Sequence, residues 1–269
     1  MKNPNSLDTL CAALCYAIGI DAPACAAAPN EELCQALDKK LSGEKVDRIF
    51  MYNPDAIAEW VYKKYATMLA EAKSAAEVEI PLCAVMPSVT PVCFGTMYTG
   101  AQPCVHGIEA YVKPVITIDT IFDALIRNGK KAAIVSTARD SLSEIFLKRE
   151  MDYFIYETIE EANEKVVQTI IEDEYDFIVV YNGNFDSRMH KTGPEHYHAL
   201  SELKANSAAF GEFSVLIERY WKNHNTLVGF AMDHGCHEID GGSGSHGLDM
   251  PEDLNIVHLY KAYPKSEEN

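Results

Sequence analysis

The sequence is poor in basic residues. Its 269 residues include 23 Lys and Arg against 40 Asp and Glu, which gives a formal net charge of −17. An acidic surface repels the phosphates of nucleic acids and anionic lipid headgroups. We therefore expect neither a nucleic acid nor a membrane as a partner. A small anionic substrate is compatible with this charge if bound cations reverse the field locally.

The sequence also lacks any apolar run of the roughly 18 to 20 residues that span a bilayer. No segment combines a basic start, an apolar centre and a small-residue cleavage site. The eight cysteines are irregularly spaced, and we interpret them as reduced thiols. These absences predict a soluble, cytoplasmic protein.

Apolar residues make up 48% of the chain, which is enough for the core of one large domain or two small ones. Apolar runs typical of buried strands occupy 47–52, 81–86, 132–136, 176–181 and 226–232. Amphipathic helical patterns lie near 55–72, 117–128, 140–149, 158–172 and 195–222. This alternation predicts a single α/β domain with a mainly parallel sheet and helices on both faces.

Two further helical patterns, 6–18 and 31–42, precede the first strand. The second follows Asn30 and begins with two glutamates, as is typical of a helix start. We therefore predict a helical N-terminal lead-in, residues 1–45, packed on a core of residues 46–269.

Side chains with metal-binding or nucleophilic chemistry follow four of the predicted strands. They are Asp55, Thr90, Asp186 and the adjacent pair Asp233 and His234. In parallel sheets the carboxyl ends of the strands meet at one edge, where ligands bind. Carboxylates and imidazoles bind zinc-like ions, and a hydroxyl beside such ions can become a nucleophile.

Two histidines extend this set. His190 lies four residues after Asp186, so both side chains can converge on one ion as the chain enters a helix. His246 lies in a later Ser-His-Gly segment. The adjacent Asp233 and His234 require a tight turn, which we expect Gly235 to permit.

The segment PSVTPVCFGTMYTGAQPCVHGI, residues 87–108, resembles the nucleophile segment of the alkaline phosphatase superfamily, and most closely its nucleotide pyrophosphatase/phosphodiesterase branch. Thr90 lies ten residues before the Gly of a Thr-Gly pair, which Pro and then His-Gly follow. FDSRMHKTGP, MDHG and SHGLDMPEDLNIVH resemble the downstream motifs of that branch in the same order. The opening NSLDTLCAALCYAIGI looks like the helical lead-in of some bacterial members.

The resemblance implies an alkaline-phosphatase-like fold and a hydrolase of small-molecule phosphate esters, either a phosphodiesterase or a phosphomonoesterase. It implies two divalent ions, zinc in the first place, with manganese or magnesium as alternatives. One ion would bind Asp186, His190 and His246. The other would bind Asp55, Asp233 and His234, with the nucleophile Thr90 on or near it.

The sequence departs from the family pattern at two positions. The family usually has Gly after its first aspartate, whereas Asp55 is followed by Ala56. Asp47 or Asp21 could replace Asp55, but neither follows a predicted strand. Phosphodiesterase members often carry Asn at the position of Cys93, and a thiol is a weak donor to phosphoryl oxygens.

Several alternatives stay open. Thr90 could cap a helix. The protein could be a phosphotransferase or mutase of the same superfamily, or a metal-binding protein without activity. A sulfatase is disfavoured, because neither Cys93 nor Cys104 lies in a Cys-x-Pro-x-Arg pattern. Five further histidines are not expected to bind metal directly. His106 and His258 are expected to support the site or to pack, His196 and His198 to lie on the helix after the site, and His237 to lie in a solvated loop.

Overall fold

A seven-stranded sheet forms the centre of the protein, which a computed structural model describes over residues 1–266. Its strands, together with a small hairpin, are β1 (Arg48–Pro54), β2 (Val78–Cys83), β3 (Ala132–Thr137), β4 (Asp152–Tyr156), β5 (Phe177–Asn182), β6 (Thr226–Phe230), β7 (His237–Ile239), β8 (Ser243–Ser245) and β9 (Asn255–Tyr263). The sheet order is β2-β9-β6-β1-β5-β3-β4, and β7 pairs with β8. Strand β9 is antiparallel to both of its neighbours, and the other pairings within this sheet are parallel, so the predicted mainly parallel α/β architecture is confirmed.

Helices cover both faces of the sheet. They are α1 (Thr9–Ile18), α2 (Glu31–Leu41), α3 (Glu59–Lys64), α4 (Ala70–Ser74), α5 (Thr90–Thr99), α6 (Pro103–His106), α7 (Ile121–Arg127), α8 (Ser141–Ile145), α9 (Ile159–Glu172), α10 (Asn184–Thr192), α11 (Tyr197–Tyr220) and α12 (Pro251–Leu254). None of these helices is both long and apolar enough to cross a membrane.

Consecutive residues of the central strands are buried, which requires cover on both sides, because neighbouring side chains of a strand point to opposite faces. The rings of Phe50 and Tyr52 contact Phe213 of α11 at 5.9 and 6.0 Å between centroids. On the other face, Phe177 contacts Phe122 of α7 at 6.1 Å. This explains why the strands read as continuous apolar runs rather than as alternating ones.

The N-terminal helices pack on this core. Helix α1 contacts α5, and α2 contacts β2 and β9. Asn30 caps α2 by accepting a hydrogen bond from the backbone N–H of Leu33 at 3.0 Å. The division of the chain at residue 45 stays a prediction.

Several predicted boundaries differ from the structure. The predicted helix 55–72 is divided into α3, a 3₁₀ turn (Ala66–Leu69) and α4. The strand predicted at 81–86 runs from Val78 to Cys83 instead. Its pairing with β9 sets its ends, and that pairing depends on residues more than 170 positions away.

Candidate metal-binding active site

The candidate residues lie at one edge of the sheet. Asp55 follows β1, Asp186 lies in the first turn of α10 after β5, and Asp233 follows β6. Strands β1, β5 and β6 are parallel and neighbouring, so their carboxyl ends deliver these side chains to the same place. Thr90 is the first residue of α5, after β2.

Asp186, His190 and His246 form one compact group, in which three ligand atoms lie within 4.8 Å of one another. The Nε2 atoms of the two histidines are 3.1 Å apart. Asp186 Oδ1 lies 3.2 Å from Nε2 of His190 and 3.4 Å from Nε2 of His246. The three atoms therefore point at a common centre.

Asp55, Asp233 and His234 form a second group of the same kind. Nε2 of His234 lies 3.4 Å from Asp55 Oδ1 and 3.3 Å from Asp233 Oδ2. All three residues are at most 1% exposed. The rings of His234 and His246 stack with centroids 4.1 Å apart, so the two groups are adjacent.

Each of the three histidines has its second ring nitrogen fixed by a backbone carbonyl. Nδ1 donates to the carbonyl of Gly244 in His190, of Gly235 in His234 and of Ser88 in His246, each at 2.9 Å. A proton held on Nδ1 leaves the lone pair of Nε2 free and directed into the site. This is the arrangement that metal-binding histidines use.

Each of the three aspartates presents an unpaired oxygen that complements these histidine nitrogens. Asp55 Oδ1, Asp186 Oδ1 and Asp233 Oδ2 are buried without a hydrogen-bond partner among the described residues. A buried carboxylate oxygen left unpaired is strongly destabilising. These three oxygens are also the atoms that face the histidine Nε2 atoms, and divalent cations at the two centres would satisfy them all. The donor set therefore fits two cations.

The electrostatics of the groups differ. Burial, then the neighbouring carboxylates, raise the pKa of Asp55, and burial also raises the pKa of Asp233. Burial lowers the pKa of His234 to about 3, so this ring is neutral. Burial alone would raise the pKa of Asp186, but the neighbouring His190 and His246 outweigh it and hold that pKa below its usual range.

Thr90 lies beside the second group. Its Oγ1 is 3.4 Å from Asp55 Oδ2 and 3.3 Å from Nε2 of His234, and the residue is 3% exposed. Val89 is the N-cap residue of α5, and no side chain caps that helix. The hydroxyl is therefore directed into the site rather than used as a helix cap, at a helix N-terminus that favours negative charge.

No protein-family model matches the sequence, and no curated protein matches it significantly. Solved structures do match. Murine ectonucleotide pyrophosphatase/phosphodiesterase 5 superposes with a TM-score of 0.57 at 16% identity, over 72% of this chain and 58% of that one. An inactive threonine-to-alanine form of it, in complex with AMP, gives a TM-score of 0.58. Phosphonoacetate hydrolase from Sinorhizobium meliloti 1021, in complex with phosphonoformate, gives 0.53 at 19% identity, over 76% and 61%.

The chain has an alkaline-phosphatase-like fold. It spans less than two thirds of the length of the structures that it matches. At this level of identity the likeness establishes the fold, whereas the chemistry has to be argued from the residues of the site.

The structure explains the residues at two positions for which glycine was discussed above, 56 and 235. Ala56 has φ +61°, a left-handed conformation that favours glycine, and its N–H donates to Asp233 Oδ1 at 3.1 Å. Gly235 is outside the left-handed region, so the expected tight-turn role is wrong. A Cβ there would overlap the carbonyl oxygen of Glu252, and glycine is needed for close approach.

Two buried residues support the surroundings of the site, and the sequence singled out His258 but not Asp253. Asp253 is fully buried, accepts from the backbone N–H of Leu248 at 2.8 Å and pairs with Nδ1 of His237 at 2.7 Å. The interpretation of His237 as a solvated loop residue is therefore wrong. His258 donates from Nε2 to the carbonyl of Met232 at 2.6 Å and so holds the chain just before Asp233.

Two further residues bear on the chemistry. The hydroxyl of Tyr181, at the end of β5, donates to Asp55 Oδ2. Cys93 is fully buried, and its Sγ lies 4.0 Å from the carbonyl oxygen of Val85. Burial raises the pKa of the Cys93 thiol, so it stays protonated. A thiol is only a weak donor, so strong donors to a phosphoryl group would have to be other groups of the site.

Proposed function

We propose that the protein is a metal-dependent hydrolase of small-molecule phosphate esters, a phosphodiesterase or phosphomonoesterase with Thr90 as its nucleophile. The observation that carries the proposal is the convergence of two groups of three ligand atoms at the same edge as one buried hydroxyl. Scattered polar residues would not leave three carboxylate oxygens unpaired and three imidazole nitrogens directed at two centres.

Asp186, His190 and His246 would hold one divalent ion, and Asp55, Asp233 and His234 the other. The sulfur-free set of nitrogen and oxygen donors suits zinc, and manganese and magnesium are the alternatives. Two such ions supply positive charge that stabilises a phosphoryl group and lower the pKa of a nearby hydroxyl.

Thr90 then performs the first step of the reaction. Its Oγ1 gives up its proton and forms a bond to phosphorus while the bond from phosphorus to the leaving ester oxygen breaks. That oxygen takes up a proton, which gives a phosphothreonine and an alcohol. In the second step water loses a proton and attacks the same phosphorus, the bond to Thr90 breaks, and Thr90 Oγ1 takes up a proton. The rigid position of Thr90 at the start of α5, with Phe94 of that helix packed against Tyr181 at 5.6 Å, favours in-line attack by limiting its motion.

The solved structures support the same class of reaction. One is titled a pyrophosphatase/phosphodiesterase and another a phosphonoacetate hydrolase, and the inactive form of the first carries alanine in place of a threonine. We place the reaction in the cytoplasm, because all eight cysteines lie within the described residues and all are free thiols there.

The test is an activity screen of the full chain with two equivalents of zinc. We expect turnover of p-nitrophenyl phosphate, bis-p-nitrophenyl phosphate or both. Thr90→Ala should lose at least about 10³-fold in kcat while it still binds two ions, because it removes the nucleophile and none of the six aspartate and histidine ligands. Thr90→Ser is the control and should keep measurable activity.

Unchanged turnover in Thr90→Ala would refute the threonine mechanism. Two bound ions without turnover of any ester would identify a metal-binding protein instead. Transfer of the phosphoryl group to an added alcohol in preference to water would identify a phosphotransferase.

A further inference from the structure

Tyr181, at the end of β5, lies beside β1, Asp55 and helix α5. Residue pairing aligns Tyr181 with Asn53 of β1, and the backbone N–H of Asp55 donates to the carbonyl of Asn182 at 3.0 Å. Tyr181 is 6% exposed, and its hydroxyl donates to Asp55 Oδ2. Its ring also packs against Phe94, four residues after Thr90.

The hydrogen bond from Tyr181 makes the two carboxylate oxygens of Asp55 unequal. Oδ2 already accepts the hydrogen bond of Tyr181, whereas Oδ1 has no hydrogen-bond partner and faces Nε2 of His234 at 3.4 Å. A carboxylate held in this way presents to a cation one oxygen, Oδ1, that has no other partner. It also cannot rotate without losing a buried hydrogen bond.

The chain makes room for this contact. A Cβ at position 183 would lie 2.7 Å from the hydroxyl oxygen of Tyr181 and 3.1 Å from its ring. Gly183 has an ordinary negative φ of −91°, so glycine is not required there by the backbone. The absence of a side chain at Gly183 instead allows the phenol to reach Asp55.

We propose that Tyr181 is a positioning residue, which orients Asp55 as a one-oxygen ligand of the second cation, and that Gly183 provides the space for it. This inference rests on the proposed function. It goes further because it attributes the cation affinity of one of the two sites to a hydrogen bond from a residue that is not one of the six ligands. Partners that orient metal ligands contribute about 10- to 100-fold in metal affinity.

The experiment is zinc binding to the full chain, measured by competition with a chromophoric chelator, for the wild type, Tyr181→Phe and Tyr175→Phe. Tyr175 is the matched control, because its hydroxyl also donates to a carboxylate, Asp152 Oδ2 at 2.7 Å, just before the start of the same strand. We expect Tyr181→Phe to weaken one site by about 10- to 100-fold and to leave the other unchanged. Tyr175→Phe should change neither.

Two further readouts separate positioning from general damage. The cobalt-substituted Tyr181→Phe protein should show an altered visible spectrum, and excess zinc should restore most of its kcat. Gly183→Ala keeps the hydroxyl but displaces it, and it should weaken the same site. If Tyr181→Phe does not fold, the zinc affinity of Gly183→Ala tests the positioning role of Tyr181 instead.

The outcomes are distinguishable. Two unchanged affinities in folded Tyr181→Phe, equal losses at both sites, or an equal loss in Tyr175→Phe would each overturn the role of Tyr181. A wild-type protein that binds no metal would instead refute the proposed function itself.

Discussion

At the scale of single residues, the site is set by contacts to the backbone. Each of His190, His234 and His246 is oriented by one carbonyl, and Asp233 is oriented by the N–H of Ala56. Such contacts would hold the proposed ligands in place before an ion binds, which would reduce the reorganisation required on binding. The hydrogen bond from Ala56 to Asp233 also explains why Ala56 is kept in a conformation that favours glycine.

We predict that Ala56→Gly stabilises the protein. Left-handed backbone costs a non-glycine residue about 1–2 kcal/mol, and the greater freedom of unfolded glycine offsets about half of that. The free energy of unfolding by urea, measured in a chelator, should therefore rise by up to about 1 kcal/mol. Ala58→Gly is the control: Ala58 is equally buried but has φ −66°, and its replacement should destabilise. A loss of stability in Ala56→Gly would contradict the argument.

We also predict that His258 makes the protein sensitive to acid. Burial lowers the pKa of His258 to about 4, whereas an unfolded histidine titrates near 6.5. Between these values the unfolded state binds the additional proton, so stability falls as the pH falls. The full effect is about 3 kcal/mol.

His258→Gln should therefore be less stable than the wild type at pH 7.5, by about 1–2 kcal/mol for the altered buried hydrogen bond. As the pH falls to 4 in the presence of a chelator, the difference should narrow or reverse. The exposed His198→Gln serves as the control. A difference that stays constant across this range would show that His258 does not carry the effect.

The sequence predicted the ligand candidates but not the residues that orient them. Asp55, Thr90 and Asp186 follow apolar strands, and that placement is visible in a local pattern. The contact of Tyr181 with Asp55 joins residues 126 positions apart, and its tyrosine lies within an apolar run. A local pattern does not carry such a pairing, so only the folded chain reveals it.

At the scale of elements, β1, β5 and β6 were predicted because they are buried on both faces and read as apolar runs. Strand β4 was missed, since it lies at the edge of the sheet and its residues are only partly buried. The hairpin of β7 and β8 was also missed, because each of its strands has three residues in a polar, glycine-rich segment. That hairpin nevertheless carries His246 directly after β8.

The hairpin is held against α10 by Gly244. Its carbonyl accepts the hydrogen bond of His190, and a Cβ on Gly244 would overlap the sulfur of Met189. We predict that Gly244→Ala separates the hairpin from α10 and disrupts the group of Asp186, His190 and His246. Metal analysis of the purified protein should fall from two equivalents toward one.

Ser243→Ala, on the neighbouring residue of β8, is the control and should keep two equivalents. The retained ion in Gly244→Ala should be the one whose affinity depends on Tyr181. Two tightly bound ions in Gly244→Ala would show that the hairpin does not set the geometry of that group.

At the scale of the whole molecule, the fold buries negative charge that it does not itself neutralise. Asp55 and Asp233 are at most 1% exposed, His234 beside them is neutral, and no arginine or lysine of the described chain forms an ion pair with either of them. The protein as a whole is also strongly acidic. Its stability should therefore depend on cations more than that of a protein with an apolar core of the same size.

We predict that Asp233→Asn has opposite effects on stability with and without metal. In a chelator at pH 8 the variant should be more stable than the wild type by about 1–3 kcal/mol, because one of two buried, closely placed carboxylates becomes neutral. In zinc at about 1,000 times its dissociation constant, each occupied site stabilises the wild type by about 4.1 kcal/mol. The variant loses that contribution at one site, so the order of stabilities should reverse. Asp240→Asn removes an exposed charge and should show no reversal. If Asp233→Asn were less stable than the wild type under both conditions, the buried carboxylate would be a structural residue and not a ligand kept at the expense of stability.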